Sequence, residues 1–446
     1  RVLFRSDLLT GAGALTFTRN AQTGLVSNTT LSNVTDTRAY NGFAELTGYN
    51  AKFNATTLYD LQFTYDKLGR ITQKIETVGG VTTTNDYGYD LAGRLQTVTR
   101  NGVLFDTYSY DSNNNRASLN RSGVITNGTY DNQDRMMAYG AATYTYTANG
   151  ELLSKTVGAN VTQYGYDVLG NLRTVTLPGG TQIAYEIDGQ NRRIGKRVNG
   201  VLTQGWLYQD QLKPVAELDG ANNVVSRFVY GSRVNAPEYM IKGGVTYRLL
   251  TDQVGSIRLV VDVATGTIAQ RLDYDEFGVV TFDSNPGFQP FGFAGGLYDT
   301  QTNLTRFGAR DYDAEAGRWT AKDPILFGGG AMNLYEYAGS DPLNQIDPTG
   351  LLKPSKNDVI TALLNWIADR IKDLVKQLNG KCDEEIRKAI DELLKAAEIV
   401  RKMTDPTSPF ERPVNDTLKK LGDEYNKLRD TINANSTKLG GGLAGL

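Results

Sequence analysis

Apolar and polar residues alternate along most of this chain. Leu61-Gln-Phe63-Thr-Tyr65 puts every second side chain on one face, which is the period of a strand. Asp66-Lys-Leu-Gly69 interrupts the alternation, and Arg70-Ile-Thr-Gln-Lys-Ile75 resumes it. The interruption has turn chemistry, because Asp bonds its own backbone and Gly accepts a positive φ. Each unit is therefore predicted to be about two short strands around a tight turn. One hairpin is barely stable by itself. The units are expected to stack in register into a long sheet, Tyr ring above Tyr ring.

The unit recurs. Tyr-Asp pairs begin at Tyr65, Tyr89, Tyr110, Tyr130, Tyr166 and Tyr274, the first four separated by 24, 21 and 20 residues. The best copies read Tyr65-Asp-Lys-Leu-Gly-Arg70-Ile, Tyr89-Asp-Leu-Ala-Gly-Arg94-Leu and Tyr166-Asp-Val-Leu-Gly-Asn171-Leu. Degenerate copies start at Tyr146, Tyr185, Tyr208 and Tyr230.

From about residue 352 the period changes to that of amphipathic helices, and three are predicted. The first runs from about Lys356 with Val359, Ile360, Leu363, Leu364, Ile367 and Ile371 on one stripe, and stops at Asn379-Gly380. The second opens at Asp383 and is broken by Asp405-Pro-Thr-Ser-Pro409. The third carries Val414, Leu418, Leu421, Tyr425, Leu428 and Ile432, a spacing suited to coiled-coil packing. Residues 352–446 hold 17 Lys plus Arg and 15 Asp plus Glu, against 30 and 34 in the preceding body. Only Tyr425 of the 25 tyrosines lies there.

Composition then narrows the chemistry. The net charge of -2 over 446 residues implies neither a nucleic-acid nor a membrane partner. There is no His and a single Cys, Cys382. Ser-His-Asp and Cys-His catalysis, an intrachain disulfide and the usual zinc sites are all excluded, and no cofactor is implied. The Gly-rich stretches lack the Gly-Lys-Ser/Thr ending of a phosphate loop. No apolar run is long enough to span a bilayer. The opening Arg1-Val-Leu-Phe-Arg-Ser6 resembles sequencing-adaptor read-through, so a piece of a longer protein is expected.

An ordered set of motifs precedes the helical tail: Arg306-Phe-Gly-Ala-Arg310-Asp-Tyr-Asp313, Gly317-Arg-Trp319, Lys322-Asp-Pro324, Asn333-Leu-Tyr335 and Asp347-Pro-Thr-Gly-Leu351. With these in place, the repeats resemble the YD repeats of the RHS family, and residues 290–351 resemble its RHS-associated core domain. The likeness covers most of residues 40–351. It implies a mainly β fold, in which YD hairpins form a spiralling, shell-like sheet. It also implies a plug at one end and a variable C-terminal polypeptide, often a toxin, held inside. The expected division is an edge fragment at 1–39, the repeat shell at 40–285, the core or plug at 286–351 and a helical C-terminal domain at 352–446. One departure is Leu250-Thr-Asp252-Gln-Val-Gly255, where the family often has His before the Asp.

The resemblance places a self-cleavage dyad at Asp323 and Asp347, with the cut between Leu351 and Leu352 and Arg310 as the accompanying basic residue. The chemistry is coherent without His or metal. Two close carboxylates share one proton; the ionised member activates water and the protonated member donates to the carbonyl oxygen. Arg310 can orient a carboxylate or stabilise the oxyanion, and Lys322 can supply similar charge. Asp341-Pro342 reads as a turn. Phe288-Gln-Pro-Phe-Gly-Phe293 reads as packed plug core rather than a holder for a guest chain. The expected function is a shell that cuts itself to release an effector or toxin, from a bacterial secreted or cell-surface protein. Its partners would be its own tail, and by family an immunity protein and secretion machinery. Membrane contact by the tail is left open without support. The alternative is a YD-repeat cell-surface scaffold or adhesin that never cuts.

Overall fold

The computed structural model describes residues 11–351, residue 22 apart. The chain divides into two units at Leu352, and the first is described here. The predicted tail helices and Cys382 lie outside the described residues.

Alternation becomes a single meander of 27 strands, from Gly11–Ala12 to Val280–Asp283. Each strand pairs antiparallel with its neighbour in the chain, as in Phe63 opposite Lys74 and Lys74 opposite Asn85. Among the described residues no pairing joins the first strand to the last. In Thr56–Tyr65, Leu61 and Phe63 are buried while Gln62 and Thr64 are exposed. The sheet begins before residue 40, because Leu15–Arg19, Val26–Leu31 and Val34–Tyr40 belong to it.

The Tyr-Asp turn is the repeating joint. Asp66 Oδ1 accepts the Leu68 N–H at 2.8 Å and the Arg70 N–H at 3.0 Å, while Oδ2 accepts Arg70 Nε at 2.8 Å. Burial opposes ionisation of Asp66, but these hydrogen bonds outweigh it and hold the carboxyl below its usual range. Asp90 with Arg94, Asp131 with Arg135 and Asp188 with Arg192 repeat the arrangement. A register shift at each Tyr re-aims its ring. The hydroxyl then donates to the first carbonyl after the preceding turn: Tyr65 to Leu46 at 2.6 Å, Tyr89 to Ile71 at 2.7 Å, Tyr110 to Leu95 at 2.8 Å. The expected ring-on-ring stack gives way to a guanidinium over a ring, since Arg70 lies 4.4 Å from the Tyr89 centroid and Arg94 lies 4.7 Å from that of Tyr110. The Arg that closes one turn covers the Tyr of the next.

A second, four-stranded sheet lies in the segment expected to be the plug, and is called by that name below: Leu297–Asp299, Leu304–Phe307, Arg310–Asp313 and Arg318–Trp319. Its centre is aromatic, with Tyr312 and Tyr337 at 4.3 Å and Trp319 and Phe307 at 5.9 Å. Phe291 packs edge-on against Phe228 at 4.9 Å, and Phe293 stacks on Tyr312 at 6.0 Å, which is core packing. The plug docks on the edge that carries the Tyr-Asp turns. Asn344 accepts from Ile71 N and donates to the Tyr89 hydroxyl, each at 2.9 Å. Asn333 donates to Asn115 at 2.7 Å, Tyr335 to the Gly150 carbonyl at 2.6 Å, and Arg306 to Asn171 at 2.8 Å.

The last Tyr-Asp turn folds back against earlier repeats. Arg121 bridges Asp106 and Asp275 at 2.8 and 3.0 Å, and Phe277 lies 5.0 Å from Tyr108. Glu276 is buried beside them, with Oε2 lacking a hydrogen-bond partner. Burial first, and the charge of Asp275 second, push its carboxyl up from 4.5 to about 7.

Three outcomes follow. Arg94→Ala removes contacts to Asp90, Asn114 and the Tyr110 ring, and should lower the unfolding free energy by about 1–3 kcal/mol. Leu91→Ser, at the exposed tip of the same turn, should stay within about 0.5 kcal/mol in urea titrations. Folding takes up a proton at Glu276 between its unfolded and folded values. Its contribution is therefore fully present below pH 4.5 and is lost as pH rises through about 7. Glu276→Gln should flatten the stability profile across that window by on the order of 3 kcal/mol. An unchanged slope would remove Glu276 as its source.

Candidate functional site

Strand alternation sets the site. In Arg310–Asp313, Arg310 and Tyr312 share one side while Asp311 and Asp313 share the other. Asp311 pairs with Arg193 and Arg306, whereas Arg310 reaches the two predicted aspartates. Arg310 Nη2 donates to Asp323 Oδ2 at 2.9 Å and to Asp347 Oδ2 at 3.4 Å. The three residues are buried, with exposures of 4%, 5% and 1% for Arg310, Asp323 and Asp347.

Each aspartate is fixed by its own turn. Asp323 Oδ1 accepts the Ile325 N–H at 2.9 Å, and the Asp323 N–H donates to Leu334 at 3.0 Å. Asp347 Oδ1 accepts the Thr349 hydroxyl at 2.9 Å and the Leu351 N–H at 3.1 Å. The residue before the predicted cut is thus tethered to a predicted catalytic carboxylate. Arg310 Nε donates to the Gly350 carbonyl at 2.5 Å and Nη1 to Leu334 at 3.1 Å. Its guanidinium lies 4.3 Å from the Trp319 centroid. Leu352 lies outside the described residues.

Burial pulls Arg310 down to about 10 against the opposing pull of Asp323 and then Asp347, so it stays cationic near neutrality. Burial also raises Asp323. Arg310 and the Ile325 N–H counter that rise, and the charge of Asp347 adds to it. Burial is thus the main cause of the rise at Asp323, and the nearby Asp347 charge is the smallest contribution.

Lys322 lies elsewhere: a Cβ on Gly150 would fall 2.2 Å from its Cε, so the end of this side chain packs on the repeat wall. Asp341 accepts from Asn344 Nδ2 at 2.7 Å and from two backbone N–H groups through its carbonyl, as a turn former does. Sequence reasoning missed how the 347–351 turn is seated. The Ala309 N–H donates to the Thr349 carbonyl at 2.9 Å. A Cβ on Gly308 would meet that carbonyl at 2.3 Å, and one on Gly350 would meet the Phe307 carbonyl at 2.5 Å. Both glycines have positive φ. The only local hint was a glycine near each end of the motif set.

A repeat sheet whose Tyr-Asp turns dock on a second, aromatic-centred sheet is the arrangement of a YD-repeat shell protein of the RHS kind. The chain belongs to the Teneurin YD-shell family, whose model matches residues 5–343 and so takes in Arg310 and Asp323 but not Asp347. It is 32% identical to Teneurin-3 of Danio rerio over 307 residues, covering 65% of this chain and 11% of that protein. It is 26% identical over 255 residues to the tRNA3(Ser)-specific nuclease WapA of Bacillus spizizenii, covering 54% and 11%. The chain therefore spans about a ninth of the length of these relatives. The fold is similar to part of a chain in the structure of the Photorhabdus luminescens Tc holotoxin pore, with a TM-score of 0.61 at 18% identity, over 76% of this chain and 19% of that one. A TcdB2-TccC3-Cdc42 crystal structure also gives 0.61, at 19% identity, covering 78% and 20%.

Gly350→Ala should unseat the turn. Limited proteolysis should then cut between residues 347 and 351 at least about tenfold faster than in the parent, with a lower Tm. Equal protection in both proteins would contradict the close backbone packing.

Proposed function

We propose that the chain is an RHS-type shell that cuts itself once, after Leu351, to free the polypeptide that begins at Leu352. One observation carries this reading: Arg310 touches Asp323, Asp347 and the Gly350 carbonyl, while Asp347 holds the Leu351 N–H. Nucleophile activation and the proposed scissile segment thus converge on one guanidinium. The ionised carboxylate of the pair would deprotonate water as it adds to the Leu351 carbonyl. The protonated partner would donate to the carbonyl oxygen, and Arg310 would stabilise the charge that develops there. Return of the proton to the leaving nitrogen would complete a single turnover.

In this reading the freed tail is an effector or toxin of a secreted or surface-displayed bacterial protein. An immunity protein and secretion machinery are its further partners. The likeness to WapA, named as a tRNA3(Ser)-specific nuclease, supports the toxin class without setting the activity of this tail. A second reading is a scaffold that never cuts. It is favoured by the likeness to Teneurin-3 and by the way each terminal arm of Arg310 already holds an acceptor, as a purely structural tie would.

Intact mass and N-terminal sequencing separate the two. The parent should yield a fragment starting at Leu352, and Asp323→Asn and Asp347→Asn should yield none. Arg310→Gln should slow its appearance by roughly 10²–10³-fold. A parent chain that stays whole would leave the scaffold reading.

A further inference from the structure

At one place wall and plug meet across a cluster of five buried charges: Arg193 and Lys196 on the wall, and Asp299, Arg306 and Asp311 on the plug. Lys196 pairs with Asp299 at 2.8 Å. Asp311 is left between two guanidiniums, Arg193 at 2.8 Å and Arg306 at 3.0 Å. At the rim, Arg192 is matched by Asp188 at 2.7 Å. Three cations therefore face two carboxylates in the interior, and one positive charge is left over. Arg193 and Arg306 are only 3% and 4% exposed. A surplus charge at that depth is strongly unfavourable unless something neutralises it.

One further feature points to what does. Both side chains line a cavity of about 30 Å³, bordered at the surface by Arg192 and the exposed Gln211. That space holds one or two bodies the size of water, enough for a halide.

We propose that this cavity is a binding site for one small monovalent anion, chloride in ordinary solution, held by Arg193 and Arg306. The electrostatics agree with the count. Burial works against the charge on Arg193, yet Asp311 facing it raises its pKa. Burial lowers Arg306, Asp311 only partly offsets that, and Arg193 repels it, so the surplus charge sits on Arg306. Gly308 and Pro348 also border the cavity. A bound anion would therefore brace the hairpin before Arg310 and the turn that starts at Asp347. The site does not depend on whether the chain cuts itself.

The test is thermal unfolding of the whole chain, followed by the tyrosine near-ultraviolet signal, in sodium chloride and sodium gluconate at equal ionic strength. Chloride should raise Tm saturably over gluconate. Arg306→Leu, which removes the surplus charge, should abolish the difference. Where that variant fails to fold, crystals of the parent grown in bromide decide: an anomalous peak between Arg193 and Arg306 supports the site, and an empty cavity overturns it. A parent Tm indifferent to chloride overturns the proposal whatever the crystals hold, and so does a chloride effect that survives in folded Arg306→Leu.

Discussion

One aspartate carboxylate in each Tyr-Asp turn is the interaction on which this structure rests. A meander of 27 strands that does not close on itself needs something to bind each hairpin to the next. The carboxylate of Asp66 or Asp90 satisfies two backbone N–H groups and fixes an arginine, and that arginine covers the tyrosine of the following unit. The tyrosine hydroxyl returns the contact through a strand carbonyl. Side-chain chemistry thus repeats at the turns while the backbone ladder repeats along the strands. Where Asn115 or Asn171 replaces the arginine, an amide still bonds the turn carboxylate, and the same amide serves the plug.

The plug uses the edge that these turns create. Its asparagines, Tyr335 and Arg306 bond to turn atoms and to the strand ends beside them, and its own centre is aromatic. Polar contacts of this kind add little net stability each, but an unmatched one is costly, so they select one docking register. That register places Arg310 between two segments far apart in the chain. Asp323 and Asp347 each sit at the head of a turn that is stiffened by its own backbone hydrogen bonds.

Much of this was legible from local pattern. Period-two alternation and the Asp-x-x-Gly signal are short-range physics, and they yield the hairpins directly. The meeting of Arg310, Asp323 and Asp347 was readable only through family likeness, since no local rule links positions 37 residues apart. Three things were out of reach for the same reason. Arginine displaced the expected ring-on-ring stack because the register shift at each tyrosine turns its ring toward the previous turn. Lys322 faces Gly150 rather than the carboxylates. Gly308 and Gly350 are needed for a backbone approach that depends on the plug being assembled.

The claim at the centre is that Asp323 and Asp347 behave as one electrostatic unit on Arg310. The most direct measurement is a carbon-13 titration of the Asp323 carboxyl in the parent and in Asp347→Asn. In the parent, Asp323 should titrate above the ordinary 3.8, and loss of the Asp347 charge should bring it down. An Asp323 titration that is the same in both proteins would show two independent turn residues and no pair.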